Sequence, residues 1–351
     1  MYFASDNTSG MPAQVLDALG KANDGYAPGY GADTLMEGVR TRIREVFEAP
    51  QAEVFLVTTG TAANALALAT LCPPWGAIYG HSLAHIAVDE CGAPEFFTAG
   101  AKLVGIAGDN GKITPEALGA ALAQAGRGVV HHVQPGALSL TNLTECGTRY
   151  SPDEIAALSA VAHAHGLPVH LDGARFANAL VAEGCTPAQM TWRAGVNALS
   201  LGGTKNGLMG VEAVVLFNPA RAQDWELQLR RKRAGHLWSK HRYLSAQMGA
   251  WLEDDLWLEL AQGANAMAAR LETALAGRAE LVFPRGGNMV FARWPRSQHQ
   301  SLQAAGAQYY LWPDGQNMDG PEHEQISARL VCSWNTTEAH ITEFLAAMEE
   351  A

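Results

Sequence analysis

Short apolar runs alternate with helix-like stretches along the first two thirds of this chain, and this rhythm limits the folds open to it. The strand-like runs include residues 54–57, 102–106, 129–133, 169–172, 198–201 and 211–217. Runs that are apolar on nearly every residue are typical of parallel strands that helices cover on both faces. The pattern therefore predicts an α/β fold with a mostly parallel sheet between helices.

The pattern changes after Pro219. Long helical segments at 224–233 and 244–260 come first, followed by short strand-like runs at 281–283, 288–294, 308–312 and 328–334 and by helices near 298–305 and 338–350. A chain of 351 residues exceeds the roughly 250 to 300 residues at which single cores stop growing. We therefore predict a large domain at 1–244, which includes an N-terminal arm, and a small α+β domain at 245–351.

The composition excludes several classes of function. A net charge of −11 would repel a nucleic acid backbone, and no apolar run approaches the roughly 20 residues needed to span a bilayer. Five scattered cysteines fit reduced thiols in a cytoplasm better than disulfides, and the histidines and cysteines lack the spacing of a metal site. We expect neither a nucleic acid partner, nor a membrane, nor a metal.

Two polar side chains end buried strand patterns. Lys205 follows the run 198–201 inside a glycine-rich turn, and Asp172 ends an earlier run and is followed by Arg175. A lysine amine can form a Schiff base with a cofactor carbonyl, and an aspartate can keep a pyridine nitrogen protonated so that the ring accepts electrons. Together the two segments indicate a pyridoxal phosphate site.

The segment Thr59-Gly60-Thr61 lies between a strand pattern and a helix pattern. In that arrangement free backbone N–H groups and the positive end of the helix dipole can bind a phosphate. A simple helix cap made by a threonine is the alternative interpretation.

Three segments, residues 59–64, 172–175 and 202–207, occur in the order found in the low-specificity L-threonine aldolases. The Ser5-Asp6 start and the segment around Arg329 also resemble that family, so the likeness covers nearly the whole chain. The resemblance implies the fold type I of pyridoxal phosphate enzymes, with a seven-stranded large-domain sheet. It also implies retro-aldol cleavage of L-threonine, L-allo-threonine and related amino acids such as phenylserine to glycine and an aldehyde.

The resemblance also implies roles for individual residues and an assembly of subunits. His85 is expected to stack on the cofactor ring and to act as the catalytic base, and the family forms homodimers or homotetramers with sites near subunit boundaries. The expected cofactor contacts are Gly60, Thr61, His85, Asp172, Arg175, Thr204, Lys205 and Lys232, and the expected substrate contacts are Ser5, Tyr30, Arg175 and Arg329. A two-pronged grip of Arg175 on the substrate carboxylate would suit its place after Asp172.

One position departs from the family. Many relatives have an Asn-Thr-His-Asn segment whose histidine approaches the substrate hydroxyl, whereas Thr144 takes that place here. A threonine hydroxyl can hydrogen-bond to substrate but cannot act as a base near neutral pH. We expect His131 or His132, on the predicted strand 129–133, to replace the histidine, and we prefer His132.

Two other functions fit the same residues. A β-eliminating lyase or an aminotransferase would use the same cofactor but would release ammonia or a keto acid instead of glycine and an aldehyde. A protein that binds the cofactor without turnover is a third possibility, because a fold does not determine a function.

Overall fold

A seven-stranded sheet forms the centre of the computed structural model, which describes residues 1–217, 219–313 and 315–349. Its strands are β1 (Glu53–Val57), β2 (Gly76–His81), β3 (Lys102–Ile106), β4 (Gln134–Thr141), β5 (Val169–Gly173), β6 (Ala198–Gly202) and β7 (Glu212–Leu216). Their order across the sheet is β1-β7-β6-β5-β4-β2-β3. Only β7 runs antiparallel to its neighbours in this sheet, so the predicted mostly parallel α/β sheet is confirmed.

The predicted strand at 129–133 is wrong. These residues form exposed turns that precede β4, which begins only at Gln134. The Gln134 side chain contacts this turn, because its amide donates to the carbonyl oxygens of Val129 and His132. Apolar residues alone do not make a strand where neighbouring glycines, here Gly126 and Gly128 with positive φ, favour a turn.

Helices cover both faces of the large sheet. They are α1 (Ala13–Ala22), α2 (Thr34–Val46), α3 (Gly60–Leu71), α4 (His85–Val88), α5 (Ala93–Phe97), α6 (Pro115–Ala123), α7 (Pro152–Ala164), α8 (Phe176–Glu183), α9 (Pro187–Met190), α10 (Arg221–Arg233) and α11 (Arg242–Leu252). Nine of the twelve residues of α3 are buried, which matches its almost entirely apolar sequence. The helix therefore lies inside the domain, and its N-terminus is fixed relative to the sheet.

The smaller unit is an antiparallel sheet with helices. Its strands β8 (Glu280–Leu281), β9 (Met289–Pro295), β10 (Tyr310–Leu311) and β11 (Gln325–Val331) have the order β10-β11-β9-β8. The accompanying helices are α12 (Leu256–Leu275), α13 (Arg296–Ala304) and α14 (Glu338–Glu349), which agrees with the predicted α+β unit. The predicted end of the last helix, Glu350, lies outside the described residues.

Helix α12 contributes to both hydrophobic cores. Its first half, with Trp257 and Leu260, packs into the large core, whereas Leu271 and Leu275 pack into the core of the small sheet. Phe3 of the N-terminal arm is also buried in the small core. The boundary near Leu244 stays a prediction. No helix in the described part of the chain is both long and apolar enough to cross a membrane.

Candidate functional site

A cleft of ≈ 720 Å³ opens where parallel strands of the large sheet end, beside the small sheet. Open α/β sheets bind ligands outside the carboxyl ends of their strands. Six residues whose side chains were predicted to act in the site line this cleft. They are Ser5, His85, Asp172, Arg175, Lys205 and Arg329. Residues from the N-terminus, the large sheet and the small sheet thus meet in one cavity.

Lys205 lies in a short helical turn that directly follows β6. Glu212 of β7 stabilises this turn, because its Oε2 accepts a 2.7 Å hydrogen bond from the backbone N–H of Gly203. Burial and the nearby Arg175 charge lower the pKa of Lys205 below its usual value. Its Nζ has no hydrogen bond or ion pair within the described residues. A lowered pKa makes the amine easier to deprotonate, and the neutral amine is the form that attacks a carbonyl.

Asp172 is the last residue but one of β5, and it is almost completely buried, with 2% of its surface exposed. Oδ2 accepts a 2.8 Å hydrogen bond from the Asn64 amide, and Oδ1 accepts one of 3.0 Å from the backbone N–H of Ala174. It has no salt bridge in the described part of the chain. A buried carboxylate without a cation is costly, so a protonated pyridine nitrogen fits this position.

His85 belongs to a hydrogen-bonded chain that reaches Asp172. Its Nδ1 donates to Glu90 Oε1 over 2.7 Å, and the Asn64 amide donates both to that same oxygen and to Asp172, over 2.8 Å each. The Glu90 hydrogen bond is the main reason that the pKa of His85 lies above its usual value. The chain fixes the ring orientation and makes Nε2 the nitrogen that is free to face a ligand.

Glu145 is a cleft residue that the sequence reasoning missed. Its Oε1 accepts a 2.7 Å hydrogen bond from the backbone N–H of His85, and its Oε2 has no partner among the described residues. Burial, with the Asp172 charge adding to it, raises the pKa of Glu145 to about 7. A carboxyl group with that pKa can hold or release a proton near neutrality.

The two predicted carboxylate-binding arginines differ in their partners. Asp6 accepts hydrogen bonds from Arg175 Nε (2.7 Å) and Nη2 (2.8 Å), which occupies one edge of that guanidinium. Arg329 has no salt bridge in the described residues, its Nε is unpartnered, and its guanidinium carbon lies 5.5 Å from the Tyr310 ring centre. The two-pronged grip predicted for Arg175 can therefore use only the edge formed by Nη1 and the second N–H of Nη2.

The N-terminus of α3 reaches the same cleft. Gly60 lines the cavity, and a Cβ added there would meet no atom within 4 Å, so the backbone faces open space. Thr59 caps the helix by accepting from the N–H of Ala62. Thr61 and Thr204 are partly buried next to lining residues but do not line the cavity themselves. This end of the cleft suits a phosphate group.

Tyr30 and Lys232 lie together but outside the cleft of their own chain. Lys232 Nζ is 4.7 Å from the centre of the Tyr30 ring, and Lys232 is exposed on α10. Neither residue lines the cavity that contains Lys205. Their predicted contacts with cofactor and substrate are not formed within one chain.

Two expectations about the β-hydroxyl need correction. The Thr144 side chain is turned away from the cleft, because its hydroxyl lies 2.7 Å from that of Thr148 inside a tight turn. His132 is exposed at the start of β4, whereas Thr141 at the far end of that strand lines the cleft. Eight residues of strand separate those ends by roughly 25 Å, so His132 does not reach the cleft of its own chain.

The missed residues had weak sequence signals. Glu90 lies five positions after His85, and Asn64 lies four after Gly60, so both follow predicted residues by about one helical turn. Asp6 is the direct neighbour of Ser5. Glu145 follows Thr144, and only the conformation of this turn decides which of the two faces the cleft.

Comparison with known proteins agrees with this geometry. The family described as beta-eliminating lyase matches residues 2–292. A low-specificity L-threonine aldolase of a Pseudomonas species is 40% identical over 98% of this chain and 96% of its own length, and one of Pseudomonas aeruginosa is 39% identical over 97% and 95%. A solved Leishmania major threonine aldolase structure matches with a TM-score of 0.91 and 29% identity over 99% of this chain and 98% of that chain. The chain therefore belongs to the beta-eliminating lyase family and, within it, to the low-specificity L-threonine aldolases.

Proposed function

We propose that this protein cleaves L-threonine, L-allo-threonine and related β-hydroxy-α-amino acids such as phenylserine to glycine and an aldehyde. The observation that carries the proposal is the cleft itself, in which Lys205 and Arg329, neither with an ion pair among the described residues, lie with the buried Asp172. Its family uses pyridoxal phosphate, and the lysine, the uncompensated carboxylate and the α3 N-terminus fit that group. When bound, the cofactor supplies an electron sink for the broken bond.

The substrate carboxylate would bind at the junction of the small sheet and the N-terminal arm. Arg329 offers a guanidinium that has no ion pair among the described residues, Arg175 offers its free Nη1 edge, and Ser5 adds a hydroxyl in the same cleft. Binding of the carboxylate at three points would fix the rotation about the bond between the substrate nitrogen and Cα. That rotation decides which Cα bond is broken, so the protein selects the Cα–Cβ bond by positioning.

Residues on the opposite wall of the cleft would transfer the protons. His85 is oriented by Glu90 and would take the proton of the β-hydroxyl at Nε2, either directly or through one water. Asp172, held by Asn64, would keep the pyridine nitrogen protonated. Lys205 would hold the cofactor, and its amine would be the group that moves a proton at the substrate Cα.

The test is a product assay. Purified protein with pyridoxal phosphate is given L-threonine, L-allo-threonine and L-phenylserine separately, and glycine, aldehyde, ammonia and keto acid are all measured. We expect equimolar glycine and aldehyde. Ammonia with a keto acid would instead indicate β-elimination or transamination, and cofactor binding without any product would indicate a protein that has lost turnover.

We also propose that the protein assembles as a homodimer or homotetramer whose sites receive residues from a second copy. Tyr30 and Lys232 lie next to each other but outside their own cleft, and the same region exposes Trp225, Leu229 and Trp238 by 59%, 52% and 45%. Sedimentation would give the size of the assembly. Mixing inactive Lys205→Ala with Lys232→Ala subunits should restore activity if sites are shared, whereas additive, unrestored activity would contradict sharing.

We propose a cytoplasmic location. All five cysteines are free, and three of them, Cys72, Cys146 and Cys332, are buried. Unpaired thiols are typical of a reducing compartment. Fractionation of the source cells, with the activity followed, is the direct measurement, and activity recovered in an oxidising compartment would contradict the proposal.

A further inference from the structure

Asp6 is the only partner of Arg175 among the carboxylates of the described residues, and the pair is buried. The Asp6 side chain is fully buried and that of Arg175 is 13% exposed. Two parallel hydrogen bonds join them, in the bidentate geometry that fixes a guanidinium most firmly. Arg175 therefore has one orientation before any substrate arrives.

The carboxylate of Asp6 stays ionised in this position. Burial alone would raise its pKa, but the charge and hydrogen bonds of Arg175, the Lys205 charge and the Asn288 amide together hold the pKa below its usual value. The pair thus contributes almost no net charge to the cleft. Of the two arginines that line the cleft, Arg329 is the one without a carboxylate partner in the described part of the chain.

Asp6 is itself held by the small sheet. The arm that carries it is joined to that sheet by hydrogen bonds from Phe3 N to Gln308 O and from Val331 N to Phe3 O, each 2.8 Å long. Asn288, which precedes β9, donates to Asp6 Oδ2 over 3.0 Å and to Cys332 O over 2.8 Å. Because Arg175 follows β5 of the large sheet, the ion pair ties the two units together at the substrate cleft.

We propose that Asp6 is a positioning residue with two effects on carboxylate binding. It fixes Arg175 so that only the Nη1 edge faces the substrate, and it cancels the Arg175 charge so that Arg329 is the cation that attracts the carboxylate. A carboxylate subsite in which one of two guanidinium charges is cancelled favours an amino acid held in a single orientation over simple anions held in any orientation. This inference rests on the proposed function, since it concerns the carboxylate of that substrate.

Two substitutions separate the effects. Asp6→Asn removes the charge but keeps nearly the same shape, and Asp6→Glu keeps the charge but displaces the carboxylate by one methylene. A matched control is Glu183→Gln, which breaks a 2.8 Å pair with Arg149 that does not line the cleft. The readouts are kcat, KM for L-threonine and the dissociation constant of acetate for the holoenzyme, measured by calorimetry.

We expect Asp6→Asn to bind acetate roughly five- to tenfold more tightly, because an uncancelled cation faces the anion, while kcat falls at least about tenfold. Asp6→Glu should lower kcat while the acetate constant stays near that of wild type. The control should change neither quantity. A purely structural role would weaken acetate binding and turnover together, and that result would overturn the proposal.

If Asp6→Asn does not fold, Asp6→Glu still tests whether Asp6 positions Arg175. A kcat equal to that of wild type in Asp6→Glu would overturn this part of the proposal. Acetate binding needs no turnover. A wild-type protein that forms no glycine and aldehyde would therefore contradict the proposed function, while an acetate constant left unchanged by Asp6→Asn would contradict the role of Asp6 alone.

Discussion

The imidazole Nδ1 of His85 lies 2.7 Å from the carboxylate Oε1 of Glu90, five residues later in the chain. The Glu90 side chain is fully buried, whereas that of His85 is 36% exposed, so the pair has a fixed inner partner and an accessible outer one. The same carboxylate oxygen accepts from Asn64, which also donates to Asp172. The proposed base and the proposed partner of the pyridine nitrogen are therefore parts of one network.

Replacing Glu90 with glutamine should shift the pH dependence of cleavage. The Glu90 hydrogen bond raises the pKa of His85, so in wild type the neutral imidazole forms only at higher pH. Without the carboxylate charge, the pKa of His85 falls and the rising limb of kcat/KM moves to lower pH. We also expect kcat/KM at its plateau to fall about tenfold, or about 1.4 kcal/mol, because the ring is less firmly oriented. Initial rates from pH 5 to 9 measure both effects.

Glu95→Gln is a suitable control for that experiment, since Glu95 lies in the first turn of α5 and does not line the cleft. Its profile should superimpose on that of wild type. An unshifted rising limb in Glu90→Gln would mean that His85 is not the group that titrates.

Replacing Lys205 with alanine should abolish both the visible absorbance of the lysine-bound cofactor and the cleavage of threonine. Lys205 is the only lysine in the described lining of the cleft, so no other amine there can take its place. We expect a loss of at least about 10⁴-fold in kcat, as for other groups that bond covalently. Absorbance spectra and product assays on the same preparation check this. A yellow, active variant would refute the assignment of Lys205.

Replacing Glu145 with glutamine should remove an ionisation near pH 7. Burial raises the pKa of this carboxyl to about 7, and glutamine keeps an oxygen that can accept from the His85 backbone N–H. We expect about a tenfold loss of kcat/KM and a profile with one fewer inflection near neutrality. Glu154→Gln, on the exposed side of α7 and 45% accessible, is the matched control. Identical profiles for all three proteins would exclude Glu145 as a titrating group.

Residues at strand ends could be located from the sequence because the sheet fixes their position. Asp172 lies at the carboxyl end of β5, one residue before its last, and Lys205 follows β6. These strands are adjacent and parallel, so their carboxyl ends meet. The periodicity of the apolar runs was sufficient to predict both. Arg175, two residues beyond β5, was located by the same argument.

Contacts between distant segments could not be predicted in this way. Asp6 meets Arg175 across 169 positions of sequence, and no local pattern encodes that pairing. Likewise, the turn after β4 buries Thr144 and presents Glu145 because Thr144 bonds to Thr148, which is a matter of turn conformation. His132 lies elsewhere than predicted because the apolar run around it forms a turn, next to glycines with positive φ, and not a strand.

Glu212 should make the stability of the cofactor-free protein fall as the pH rises. Burial raises the pKa of this carboxyl from 4.5 to about 7, so between these values the folded protein keeps a proton that the unfolded chain has released. The free energy of unfolding therefore decreases with pH across that interval and is lower above it. Glu212→Gln keeps an acceptor for the Gly203 N–H but has nothing to titrate. Between pH 5 and pH 8 we expect the free energy of unfolding of Glu212→Gln to decrease by about 2 kcal/mol less than that of wild type.

Urea unfolding at the two pH values measures this difference, and Glu280→Gln provides the control because that side chain is 66% exposed. The control should follow the wild-type pH dependence, since an exposed carboxylate has similar surroundings in the folded and unfolded states. Glu145 also makes the free energy of unfolding decrease as the pH rises. It is present in all three proteins, so its contribution cancels when they are compared. Equal pH dependence in wild type and Glu212→Gln would mean that Glu212 is already ionised at pH 5. In that case the hydrogen bond from the Gly203 N–H and the nearby positive charge of Lys205 would together outweigh the burial of the carboxylate.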